Sequence, residues 1–291
     1  MLSGMSEGLH ARTGTTIQSY KEIVTRTTPR QGGLSRAFSL APRRVERVDF
    51  VVAGVQKAGT TALHYFLAKH PHIALPRDQA LHFFDQEKNF QGEPDYNRLH
   101  NNFDPGWRWR IAGEVTADYV YYTPALLRMA RYNRAMKLII SLRNPTDRAF
   151  SHWNMRRAKG REPLDFVDAI KHDQEQISAG GLRGNAHIER GFYTPQLERV
   201  FELFPRDQVL VLKYEDFRRD HARTLDQVFD FLGIDRLPNL KNAEQNAGPY
   251  QRKMTAGERA EVSAIFSEDI SRLEELLGWD CSNWRDRTVA L

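Results

Sequence analysis

Apolar positions along most of the chain follow two alternating periods. Residues 48–55, VDFVVAGV, are a β-branched run that predicts a buried strand. A glycine-bounded turn follows over residues 54–59. Thr60-Thr61 then opens a helix with Leu63, Phe66 and Leu67 on one face, at i, i+3, i+4 spacing. The same strand–helix alternation continues. Short or full strands are predicted at 73–75, 111–115, 137–142 (KLIISL) and 209–213. Helices are predicted from Thr123 as cap and Pro124 as first residue through Ala130, and from near Asp147. Another starts at Thr194-Pro195 and buries Leu197, Val200, Phe201 and Phe204. A further one runs from about Ala222 to Leu232-Gly233. Thr255-x-x-Glu258 is a capping box opening one last helix, which carries Val262, Ile265, Phe266, Ile270 and Leu273 and stops at Gly278. Strands alternating with helices predict an α/β domain over 48–291, with a mainly parallel sheet flanked by helices.

Three stretches depart from this pattern. Residues 1–47 are rich in Gly, Ser, Thr and Arg and poor in aromatics. They read as a flexible basic arm, with one short helix at 17–24, or more sharply as a docking arm for a partner or an acidic acceptor. Residues 76–110 are polar and aromatic-rich. Residues 158–190 are polar and predict a loop with a short helix, suited to a lid or an acceptor contact.

Composition narrows the class. The 291 residues, 41% of them hydrophobic, are enough for a large core. No window approaches the roughly 20 apolar residues of a membrane helix, and the N-terminus lacks a signal-peptide apolar core. The single cysteine, Cys281, allows no intrachain disulfide, and a reducing cytoplasm is expected. The net charge of +5 suits an anionic ligand. There is no basic helix with interleaved aromatics, so neither a nucleic acid nor a membrane is expected as partner. Nothing indicates a metal site, and the oligomeric state stays open.

The chemistry concentrates in the turn at 54–59. A strand, a turn and a helix N-terminus present free N–H groups and the positive end of a helix dipole, an anion site. Lys57 adds a cation, and Thr60 and Thr61 add hydroxyls. The glycines, Gly54 and Gly59, have the Walker A spacing, but Thr60 stands where that motif has lysine, and the lysine lies inside the turn. Such a loop suits a phosphate or sulfate-bearing phosphate without an obligatory metal. A second site follows the strand 137–142. Arg143 lies at its C-terminal end, and Ser151 eight residues later. Ligands of parallel sheets bind at such ends, and a guanidinium with a hydroxyl clamps phosphate. Two anion sites on one sheet predict a ligand with two separated phosphate groups.

GVQKAGTTAL at 54–63 resembles the phosphosulfate-binding loop of the sulfotransferases that use 3′-phosphoadenosine-5′-phosphosulfate (PAPS), and LRNPTDRAFSHW at 142–153 resembles their 3′-phosphate-binding strand and helix. HFF at 82–84, Gly191-x-Tyr193 and VLVLKYEDF at 209–217 extend the resemblance over roughly 48–280. It is nearest to the branch with heparan sulfate sulfotransferase domains and their bacterial relatives. The resemblance implies a P-loop NTPase-like sulfotransferase fold, PAPS as donor and the bisphosphate PAP as product. Lys57, Ala58, Gly59, Thr60 and Thr61 would hold the 5′-phosphosulfate, with Lys57 also stabilising the leaving group. Arg143 and Ser151 would hold the 3′-phosphate. Tyr193 and the loop 246–252, including Arg252, would lie at the adenine side or close over the donor. The acceptor would be a hydroxyl or amine of a small molecule or glycan.

Three departures stand out. The branch commonly has Lys-Glu before its aromatic pair, the glutamate being the general base, and this chain has Gln79 and Ala80 there. Val115-Thr116-Ala117 replaces a frequent Lys-Thr-Pro, and the cysteine-bounded loop near the C-terminus is missing. Ala80 admits three readings: an inactivated variant with its glutamate replaced, another base (His82 first, then Asp78, His64 or Glu114), or an acceptor that needs little help. Trp107, Trp109, Tyr119, Tyr121, Tyr122 and Trp153 are candidates to stack on an acceptor, or core. The basic run Arg156, Arg157, Lys159 and Arg161 faces either an acidic acceptor or solvent. A P-loop small-molecule kinase and a catalytically dead nucleotide-binding module are the rival functions.

Overall fold

A computed structural model describes residues 42–179, 187–238, 250 and 252–285. Most of the basic arm and most of the loop 246–252 lie outside these residues. The chain divides into units 1–43 and 44–291, and the account below concerns the second.

Five parallel strands form one sheet in the order β2-β3-β1-β4-β5. They are β1 (Phe50–Gly54), β2 (Ile73–Ala74), β3 (Ile111–Val115), β4 (Lys137–Leu142) and β5 (Val209–Lys213). Strands β3, β4 and β5 coincide with the predicted runs. β1 is shorter at both ends, and β2 lacks Leu75. β1 is buried along its whole length, as expected for a central strand covered on both faces. From β1 the chain leaves toward β2 and β3, and from β4 it leaves toward β5. The crevice between the ends of β1 and β4 is therefore the switch point where ligands bind in open parallel sheets.

Alternation along the strands sorts side chains to two faces. Phe50, Val52, Ile139 and Leu212 pack with α1 (Thr60–Leu67) and with two helices after β5, α7 (Tyr214–Arg219) and α8 (His221–Leu232). Val51, Ala53, Leu138 and Ile140 face the larger core. That core takes residues of α3 (Thr123–Tyr132), α4 (Pro145–Ala158), α5 (Phe166–Ser178) and α6 (Thr194–Leu203), and of α9 (Ala256–Ile265) and α10 (Ser267–Leu277). A four-residue helix, α2 (Asn97–His100), lies in the aromatic-rich stretch.

Several boundaries differ from expectation for local reasons. Thr123 is the first residue of α3 rather than its cap, with Tyr122 preceding it. α4 starts at Pro145, because the Asn144 side chain accepts the Thr146 and Asp147 N–H groups at 3.0 and 3.3 Å. The polar stretch after residue 158 holds a 13-residue helix, α5, which buries Phe166, Ala169 and Ile170. The capping box at Thr255 and Glu258 forms, but the last helix breaks at Phe266, whose ring packs on Phe192 at 5.2 Å between centroids. No helix among the described residues is long and apolar enough to cross a membrane.

Gly113 on β3 sits opposite Phe50, and a Cβ there would lie 2.2 to 2.5 Å from the Phe50 ring carbons. The ring is fully buried and has nowhere to move. Gly113→Ala is expected to destabilise the domain by about 1–3 kcal/mol. Urea unfolding should show a lower midpoint with an unchanged slope.

Candidate active site

The turn after β1 is stitched to β4. Val55 N–H donates to the Ser141 carbonyl at 2.9 Å, and the Ser141 hydroxyl donates to the Ala58 carbonyl at 2.7 Å. Lys57 adopts φ +74°, in the left-handed region. Gly59 has φ +82°, and a Cβ on it would meet the Tyr214 ring at 2.8 Å, so glycine is required twice over. No side chain caps α1, which leaves the N–H groups of its first turn open to a ligand. Thr60 is buried and Thr61 exposed.

Arg143 leaves the end of β4 and joins this turn. Its Nη1 donates to the Lys57 carbonyl at 3.2 Å and its Nη2 to the Tyr250 hydroxyl at 3.3 Å. The guanidinium stands 4.9 Å from the Tyr214 ring centre. Burial lowers the Lys57 pKa, and the charges of Arg143, Lys159 and Arg148 lower it further. Arg148 is fully buried, and burial pulls its pKa to about 10. Its Nη2 donates to the His187 carbonyl, while Nε and Nη1 have no partner. Ser151, one turn further along α4, is also buried. Among the described residues, none of Lys57, Arg143, Arg148 and Lys159 forms an ion pair with a carboxylate. Cations gathered without a carboxylate in ion-pair contact make a site for an anion.

Two expected ligand contacts, Tyr193 and Arg252, have partners within the protein. Tyr193 is 1% exposed and donates its hydroxyl to the Arg143 carbonyl at 2.7 Å. It lies under the clamp, where its N–H donates to the Asp269 carboxylate at 2.7 Å, 76 residues away. Arg252 is engaged by Glu258 at 2.6 and 2.8 Å and stacks over Trp153 at 4.9 Å. Its hydrogen bonds hold the Glu258 pKa down to about 2.

The segment before the aromatic pair reaches the same edge of the sheet. Ala80 N–H donates to the Val115 carbonyl at the end of β3, at 3.2 Å. Ala80 and His82 have φ of +55° and +50°. With Lys57 they are the three non-glycine residues of positive φ among the described residues. Strain of this kind collects at functional sites. His82 Nδ1–H donates to Asp85 Oδ2 at 2.7 Å, and this bond raises the His82 pKa. Asp85 was not singled out from the sequence, although it directly follows HFF. Glu114, on β3 behind this pair, is fully buried. Its Oε2 accepts the Thr116 hydroxyl at 3.3 Å and its Oε1 has no partner. Burial pushes its pKa up to about 7. A lone acid in the apolar run IAGEV is the signal for it. Of the remaining base candidates, Asp78 is exposed, and His64 Nδ1 accepts the Gln79 amide at 2.9 Å.

The aromatic candidates separate clearly. Tyr119 and Trp153 are core, the first accepting the Phe83 N–H at 2.9 Å and the second donating to the Leu164 carbonyl at 2.9 Å. Trp107 and Trp109 precede β3 and so lie at the opposite end of the sheet from Arg143. Tyr121 lies on the ligand side, where its hydroxyl donates to Glu189 and its ring carries Arg190 at 4.4 Å. Arg190 pairs with Asp118. Arg156 and Arg157 turn inward onto carbonyls of residues 161–164.

The sulfotransferase domain family matches residues 47–247. The chain belongs to this sulfotransferase family. It is 29% identical over 216 residues to the human bifunctional heparan sulfate N-deacetylase/N-sulfotransferase 3, covering 67% of this chain and 23% of that protein. It is 28% identical over 239 residues to human heparan sulfate glucosamine 3-O-sulfotransferase 3B1, covering 77% of this chain and 59% of that one. The chain thus spans under two thirds of the length of these relatives. A sulfotransferase from Alicyclobacillus acidocaldarius superposes with a TM-score of 0.71 at 29% identity, over 83% of this chain and 100% of that structure. The sulfotransferase family does not favour the small-molecule kinase.

Glu114 makes stability depend on pH. Its folded pKa of about 7 lies above the ordinary value of 4.5, so the folded state binds more protons in between. The stabilisation is complete below about 4.5 and is lost as pH rises through about 7. Glu114→Gln is expected to remove that slope and to gain about 1–3 kcal/mol over the native chain at pH 8. Urea unfolding of both proteins at pH 5 and pH 8 measures it.

Proposed function

We propose that the protein transfers a sulfuryl group from PAPS to a hydroxyl or amine of a glycan or small-molecule acceptor. The observation that carries this reading is the set of unmatched cations at the switch point, Lys57 and Arg143 above all, beside an uncapped helix N-terminus. The donor set suits the ligand chemistry: N–H groups, hydroxyls and cations. When bound, PAPS supplies the sulfuryl group and a bisphosphate leaving group. Lys57 and the first-turn N–H groups of α1 bind the phosphosulfate end. Lys57 neutralises the charge that grows as the leaving group departs, in the manner of phosphoryl transfer. Arg143, with Ser151, binds the 3′-phosphate, and Tyr193 steadies Arg143 from below.

His82 is the general base in this reading. Asp85 accepts the Nδ1–H hydrogen bond and so keeps that proton on Nδ1, which leaves Nε2 with its lone pair to accept a proton from the acceptor. The left-handed backbone at residues 80 and 82 aims this segment. Asp118, Tyr121, Glu189 and Arg190 form a polar rim beside it and suit a sugar hydroxyl or amine. The printed names of the relatives point to glucosamine-containing polysaccharides as first acceptors to try. A reducing compartment suits the buried thiol of Cys281.

Two measurements test this. His82→Ala is expected to lower kcat by about 10²–10⁴-fold on N-desulfated heparan oligosaccharides while PAP still binds by calorimetry. PAP binding without turnover in the native chain, and turnover gained by Ala80→Glu, would instead support the inactivated variant or the dead module. The pH profile gives a second check. Because Asp85 raises the His82 pKa, kcat/KM is expected to climb with pH through a value above 6.5, as His82 loses its proton. Asp85→Asn should move that limb to lower pH and reduce the plateau rate.

A further inference from the structure

Helix α4 lays one stripe along the anion cleft. Ser151, Met155 and Lys159 follow one another at four-residue spacing, which places them on one face. The contact between Lys57 Nζ and Met155 Sδ, 3.6 Å, fixes that face as the one over the turn after β1. Ser151 marks the end of the stripe nearest Arg143, and Lys159 the end beyond Lys57. The Lys159 N–H bonds to the Met155 and Arg156 carbonyls at 3.3 and 3.1 Å, so the helical path persists to this residue. Arg156 and Arg157 pin the following turn through its carbonyls and hold the helix end in place. The Lys159 side chain is exposed, and no group is paired with its ammonium among the described residues. It is close enough to Lys57 to be one of the charges that depress the Lys57 pKa, after burial and Arg143.

We propose that Lys159 is a donor-binding residue at the sulfuryl end of the cleft, a second cation beyond Lys57 supplied by the end of α4. The inference rests on the sulfotransferase reading above and goes beyond it by assigning the group that distinguishes donor from product. An ammonium on a flexible stem at the rim reaches the terminal sulfuryl oxygens of PAPS. PAP ends one group earlier and does not present them. Lys159 therefore acts on the donor and releases the product.

Calorimetry of the full chain with PAPS and with PAP, at one salt concentration, tests it. The two ligands carry similar charge near neutral pH, so a general electrostatic effect moves both. Lys159→Met is expected to weaken PAPS binding about tenfold, as for a lost hydrogen bond to a charged group, and to leave PAP binding within twofold. Lys159→Arg should restore most of the loss. An unchanged PAPS affinity, or equal losses for both ligands, overturns the proposal. Failure of the native chain to bind either ligand overturns the reading of the site, and this assignment with it. Equal thermal unfolding of the native chain and both variants confirms that the comparison concerns binding.

Discussion

The hydrogen bond from Arg143 to the Lys57 carbonyl ties together the two strand ends on which the site depends. It joins residues 86 positions apart. It also sets two cations side by side where, among the described residues, neither forms an ion pair with a carboxylate. In this arrangement the Lys57 charge is the costly one in the empty protein, because burial and then the Arg143 charge lower its pKa. The surrounding fold has to over-determine it. It does so with the Val55–Ser141 and Ser141–Ala58 bonds below the turn and with the Tyr193 hydroxyl behind the clamp. An anion that enters restores the missing charge, and the energy of bringing the cations together then appears as affinity.

The strained residues follow the same logic. Lys57, Ala80 and His82 hold left-handed backbone without glycine's freedom. Each stands in a segment that must turn sharply at the C-terminal edge of the sheet and still present a side chain or an amide there. Lys57 turns its carbonyl toward Arg143. Ala80 turns its N–H onto Val115, and that anchor sets the direction of His82 two residues on. The segments of Lys57 and His82, distant in sequence, thus meet across the ends of β1 and β3, which are paired in register through Val52 and Val115.

Much of this was legible in the residues. Buried parallel strands are apolar runs with no need to alternate, so IAGEV, KLIISL and VLVLK announced themselves at their full lengths. The turn at 54–59 and the pair Arg143 and Ser151 showed through spacing alone, since both are local to strand ends. What stayed hidden depends on long-range contact. Tyr193 reads as a ligand contact, and only the fold shows that it also supports the Arg143 carbonyl and is held by Asp269. Trp107 reads as an acceptor platform until the sheet shows it at the wrong end. The break at Phe266 follows from a ring packed on Phe192, which no period along the chain records. Asp85 and Arg190 take their meaning only from the partners that the fold delivers.

The caps reach further than the family match. The matched region ends at residue 247. Glu258 holds Arg252, Arg259 pairs with Asp147 on α4, and Asp269 fixes Tyr193. All of these supports come from α9 and α10. A chain cut at residue 247 would keep Lys57, Arg143, Ser151 and His82 and lose the brace that orients the clamp. The two C-terminal helices thus brace the strand ends from beyond the matched region, and any transplantation of the domain has to carry them along.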